Sequence, residues 1–116
     1  CRGMQYINVM FGGKLWYHPK LPVNRTRGVD HQVWLVEEQR NIWVNNYHSD
    51  CIYEEGLASC FEPLAIDREN HVVEAYGSDE MKILALQWHP ERRFETANAY
   101  EETRKIILDF IQKYVK

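Results

Sequence analysis

Apolar and polar positions along this chain follow two different periods, and the switches between them divide it into a helix, a run of strands and a second helix. After Cys1, residues Met4, Ile7, Val9, Met10 and Phe11 recur at loose helical spacing, and Gly12-Gly13 supplies a C-terminal cap. From Lys14 to Asp30 the pattern lapses. Pro19, Pro22 and Gly28 stand there among mixed polar residues, which predicts an irregular loop. Five strand-like runs follow: HQVWLV at 31–36, IWVNNY at 42–47, EPLAID at 62–67, HVVEAYG at 71–77 and KILALQWH at 82–89. They are rich in β-branched and aromatic residues and are broken by EEQRN, DREN and GSDE. A second helix is predicted over 98–115, with Tyr100, Thr103, Ile107, Phe110, Ile111 and Tyr114 on one face and the pair Glu101–Lys105 off it.

Helix, strands, helix is an α/β order, but the first helix has no strand before it. A helix that buries an apolar face needs a sheet to lie on, and parallel strands need a crossover connection. The chain therefore reads as the back part of an open, doubly wound domain, with residues 1–116 its C-terminal portion and the strand leading into Cys1 upstream. The length of 116 residues fits one core.

Composition narrows the function classes. Apolar residues at 45% and charged residues at 27% describe an ordinary globular chain. A formal charge of −3, with no basic run longer than Arg92-Arg93, argues against nucleic acid as a partner. The longest apolar stretch, ILAL, is too short to cross a membrane, and a cytoplasmic location is expected. Cys1, Cys51 and Cys60 show no zinc spacing, and free thiols are the simpler expectation. His18, His31 and His71 share no metal-like spacing either and are expected at the surface. Of the four tryptophans, three are expected in the core, while Trp88 could border a pocket beside His89.

Two positions carry chemistry. A cysteine at a helix N-terminus sits where unpaired backbone N–H groups and the helix dipole favour the thiolate. Arg2 adds positive charge, Gly3 permits a sharp strand-to-helix turn, and the elbow aims the Arg2 backbone N–H at a developing oxyanion. The bland reading is a small apolar residue. If Cys1 does act, its own α-amine or a distant base could activate it. The second position is LALQWHPE, where a proline ends a strand directly after His89. Carboxyl ends of strands are where open α/β sheets bind ligands, and Glu91 can turn back to orient the imidazole. Alone, such a His-Pro-Glu is more often a turn.

Together these motifs resemble the class I, triad-type glutamine amidotransferases and their γ-glutamyl hydrolase relatives. Cys1, Gly3 and Gln5 match the second half of that family's Gly-x-Cys-x-Gly-x-Gln elbow. Asn8, Gly12, Gly13 and Leu15 match its next motif, and Gln87 to Glu91 match its QWHPE outright. The resemblance implies a flavodoxin-like sheet and a Cys1–His89–Glu91 triad. It makes Cys1 an internal nucleophile, with the chain a fragment that starts there and a second oxyanion donor upstream. Gln5 is implied to hold substrate. Tyr47, His48 and Ser49, in a segment similar to the family's VNS-x-HH, are implied to line the γ-glutamyl pocket, with Ser49 departing from the second histidine.

The expected reaction is hydrolysis of a γ-glutamyl amide through a glutamyl thioester, with neither metal nor organic cofactor. CRGMQ looks most like the γ-glutamyl-γ-aminobutyrate hydrolase branch, peptidase C26. Two alternatives stand beside it: a glutaminase passing ammonia to a synthetase partner, and an idle homologue that binds or regulates.

Overall fold

In the computed structural model the described residues are 1–17, 19 and 27–114. Their elements are α1 (Arg2–Met10), β1 (His31–Leu35), β2 (Arg40–Val44), β3 (Ile52–Tyr53), a 3-10 turn (Glu54–Gly56), β4 (Glu62–Asp67), β5 (Val72–Ser78), β6 (Ile83–Leu86) and α2 (Ala99–Tyr114). The predicted loop region from 14 to 30 falls partly outside the described residues, and so does His18.

β5 organises the sheet. β4 pairs along one edge of it, and β3 and β6 share the other edge, one at each end. β1 and β2 extend the sheet beyond β4, and every one of these pairings is antiparallel. The β4–β5 register slips twice. Where Ala65 faces Ala75 and Ile66 faces Val73, β5 advances two residues against one on β4, leaving Glu74 as a bulge. A bulge breaks the strict alternation of faces. Val73 and Tyr76 accordingly join one cluster, with Met4, Ile52, Phe61 and Ala85, while Ala75 joins the other, with Val33, Leu35, Val44 and Trp88. The first cluster packs α1 through Met4 and Ile7; the second packs α2 through Ile106. This is an open α/β sheet.

α1 ends as its glycines predict. Gly12 takes φ 96°, a left-handed value that glycine adopts without strain. Gly13 lacks a Cβ where one would run into the side chain of Asn8. That asparagine is fully buried, donates to the Gly56 carbonyl at 3.0 Å and accepts from the Ala58 N–H at 2.8 Å. It ties the end of α1 to the turn after β3.

Several expectations change. β2 covers 40–44 rather than 42–47, because Asn45 and Asn46 leave the ladder as buried polar residues. β3 was not foreseen. The inner face of α2 runs through Ala99 and Thr103, so Tyr100 (52% exposed) and Ile111 (44%) point outward instead of inward. Trp88 is buried against α2: its indole N–H donates to Thr103 Oγ1 at 3.1 Å, and the pocket it lines is walled by Leu35, Leu64 and Ile106 rather than by His89. Trp43 is exposed rather than in the core, and His31 is turned inward rather than at the surface.

Candidate active site

Cys1 is the N-cap of α1 and is half-buried. Its backbone nitrogen donates to the Leu86 carbonyl at 3.1 Å, so the start of the helix meets the end of β6. The first turn of a helix leaves N–H groups without intrahelical partners, and the Arg2 N–H is one of these positions. A further contact fixes the sulfur. The Gln87 Nε2 donates to Sγ at 3.2 Å, and Gln87 is fully buried.

His89 lies two residues beyond Gln87, so their Cα atoms are within about 7 Å. Its Nδ1 is 2.8 Å from Glu91 Oε2. A carboxylate only accepts, so Nδ1 carries a proton, and in the neutral imidazole Nε2 then has the free lone pair. The hydrogen bond from His89 holds the Glu91 carboxyl below the usual carboxylate value.

Asn45 holds the His-Pro-Glu turn in place. Its Oδ1 accepts the His89 N–H at 2.9 Å and its Nδ2 donates to the His89 carbonyl at 2.8 Å. The side chain thus bridges the end of β2 to the turn after β6, two strands that do not pair with each other in the sheet. Tyr47 stands edge-on to the His89 ring, with centroids 5.9 Å apart, and the guanidiniums of Arg27 and Arg92 sit over its own ring. A shallow cleft of about 450 Å³, lined by Glu91, Arg92, Phe94 and Tyr100 among others, opens beside the pair.

The remaining predicted positions divide. Gln5 is buried, and its Nε2 donates to the Asp50 carbonyl at 3.0 Å and to Gln87 Oε1 at 3.3 Å. The His48 ring is 3% exposed and turned to the Asp50 carbonyl and Glu74. Ser49 is exposed. The side chains of Gln5 and His48 therefore lie beneath the site rather than on its surface.

The sequence profile of the class-I glutamine amidotransferases matches residues 1–107. The chain belongs to this family. YvdE of Lactococcus lactis, named a glutamine amidotransferase-like protein, is 30% identical over 112 residues, covering 83% of this chain and 46% of its own length. Protein NtpR of Enterococcus hirae is 28% identical over 110 residues, covering 78% and 45% respectively. The chain thus spans about half the length of these curated relatives. A solved structure from Thermoplasma acidophilum, described as one of the subunits of a GMP synthase, superposes with a TM-score of 0.69. It is 21% identical and covers 97% of this chain and 56% of that one, a likeness of fold. Among the described residues no helix is long and apolar enough to cross a membrane.

Within this amidotransferase domain the sequence reading passed over Asn45, Asp50 and Glu74, and assigned no role to Gln87. For Glu74 a signal existed: a lone carboxylate in the middle of VVEAY, where neither strand face is polar.

Proposed function

We propose that this domain cleaves a γ-glutamyl amide through Cys1, His89 and Glu91. The observation that carries the reading is the 2.8 Å His89–Glu91 pair in the turn that follows β6, the strand whose last residue, Leu86, meets Cys1 at the start of α1. Cys1 Sγ attacks the δ-carbonyl carbon of the glutamyl side chain, and the carbonyl electrons move onto oxygen. His89 Nε2 takes the thiol proton and delivers it to the leaving nitrogen as the C–N bond breaks. Glu91 holds the imidazole by Nδ1 and stabilises the imidazolium. The Arg2 N–H steadies the oxyanion, a contribution of about 100- to 1,000-fold in rate for one such donor. Water, deprotonated by His89, then hydrolyses the thioester and releases glutamate.

Tyr47 and the backbone at 47–49, beside the His89 ring, are the surface for the glutamyl head. Gln5 serves that surface from below through the Asp50 carbonyl. The leaving amine distinguishes two enzymes. A γ-glutamyl conjugate as substrate makes the protein a hydrolase of the γ-glutamyl-γ-aminobutyrate type; glutamine makes it a glutaminase that passes ammonia to a synthetase partner. The glutamine amidotransferase-like name of the relative 30% identical to this chain favours keeping the second reading beside the first.

The test uses the intact protein and measures ammonia released from glutamine against amine released from γ-glutamyl conjugates. Faster turnover of conjugates supports the hydrolase, and faster turnover of glutamine supports the glutaminase. Turnover of neither contradicts both.

A further inference from the structure

β5 buries a carboxylate in its middle. Glu74 is fully inaccessible and sits at the bulge, on a strand otherwise built from Val72, Val73, Ala75 and Tyr76. A carboxylate is costly to bury without partners that favour its charge. Its two oxygens face two imidazoles: His48 Nε2 lies 3.5 Å from Oε2, and His31 Nε2 lies 3.4 Å from Oε1. The main-chain oxygen of Glu74 accepts the Gln87 N–H at 2.7 Å. The Glu74 side chain thus faces His48, while its main-chain oxygen only continues the β5–β6 ladder to Gln87.

From His48 a buried chain of contacts leads to the sulfur. His48 Nδ1 is 2.7 Å from the Asp50 carbonyl oxygen, which only accepts, so Nδ1 carries a proton; the Glu74 carboxylate holds the other nitrogen, Nε2, only when that too is protonated. The same carbonyl takes Gln5 Nε2, which also donates to Gln87 Oε1, and Gln87 Nε2 donates to Cys1 Sγ. The Asp50 carbonyl sets the polarity of this chain. Turning the Gln5 amide over would set two oxygens face to face, and turning Gln87 over would set two NH₂ groups face to face. The sulfur is left facing an N–H donor, and a donor favours the thiolate.

We propose that the Glu74 side chain is a positioning group for the nucleophile: by holding His48 it fixes, through the Asp50 carbonyl and Gln5, the Gln87 amide presented to Cys1 Sγ. It acts only through these neighbours and touches no substrate. The proposal rests on Cys1 being the nucleophile.

The test compares the intact protein with Glu74→Gln and with His48→Asn, which keeps a donor for Asp50 but loses the reach to Glu74. The readouts are the rate of Cys1 alkylation by iodoacetamide, with exposed Cys60 as internal reference, and kcat and KM on a γ-glutamyl amide. Each variant is expected to slow Cys1 alkylation about tenfold, the size of one charge-assisted contact, and to lower kcat with KM little changed. Wild-type alkylation of Cys1 in either folded variant overturns the proposal. Imidazole ¹⁵N NMR of the unaltered protein gives a second check: a His48 ring lacking a proton on either nitrogen overturns it whether or not the variants fold. Full turnover in Cys1→Ala would instead defeat the nucleophile reading, a different result from unchanged alkylation in Glu74→Gln.

Discussion

Gln87 Nε2 donates to Cys1 Sγ at 3.2 Å, although 86 positions separate the two residues in sequence. The contact joins the helix that carries the thiol to the strand that leads to His89. Gln87→Met keeps the volume and removes the donor. Alkylation of Cys1 is expected to slow about tenfold, the size of one hydrogen bond to a charged acceptor, with Cys60 unchanged. Equal rates for Cys1 in both proteins would show that the amide does not act on the sulfur.

Glu91→Gln keeps the shape of the His89 partner and removes its charge. Turnover is expected to fall by about 10- to 100-fold, because the imidazolium formed during proton transfer loses its counter-charge. Folding depresses the Glu91 value, so what the pair contributes is fully present above about 4.5, the ordinary carboxyl value, and is lost as pH falls through the lowered one. An NMR titration of the His89 ring should show the Nδ1 proton signal broadening in that acid range in the native protein and no such step in Glu91→Gln.

Asn45→Ala removes the partner of the His89 N–H and one of the partners of its carbonyl, which keeps the Arg92 N–H at 3.1 Å. Leaving that N–H unpaired in a half-buried turn should cost about 1–3 kcal/mol, read as a lower urea midpoint at unchanged slope. Turnover should fall further than stability, because the same change releases the imidazole. A variant with normal turnover would mean that Pro90 and the Glu91 contact hold the turn unaided.

Tyr76 gives an alkaline signature. Its hydroxyl donates to the Met4 carbonyl at 2.6 Å beneath α1, and burial pushes its value up to about 12. A raised value means the contribution is full below pH 10, the ordinary tyrosine value, and is lost as pH rises through 12. Absorbance titration should show a tyrosine ionising near pH 12 that is missing in Tyr76→Phe. If it titrates with the exposed tyrosines, the packing of α1 on β5 is wrong.

How much of this was legible in the sequence depended on whether period or partnership carried the signal. β4 was read at its observed bounds, 62–67, and both helices within about two residues, because their patterns repeat locally. β3 is two residues long and has no period to detect. The α2 face was rotated because Tyr100 and Ile111 are apolar yet exposed, and hydrophobicity alone does not say which side meets the sheet. In the site, His89 and Glu91 are two residues apart and their pairing is a local fact. Asn45, Asp50, Glu74 and Gln87 make their contacts between segments far apart in the chain, and no spacing announces them. Gln5, implied at substrate by the family resemblance, donates its amide to the Asp50 carbonyl and to Gln87, a partnership that its place one turn along from Cys1 does not announce.

The most direct test of the central claim is a trapped intermediate. The intact protein, mixed with a γ-glutamyl amide and quenched in acid, is digested and weighed by mass spectrometry. The account predicts a peptide heavier by one glutamyl group, with the adduct on Cys1, present in the native protein and absent from Cys1→Ala along with turnover. An adduct on Cys51 or Cys60, or turnover persisting in Cys1→Ala, would contradict it.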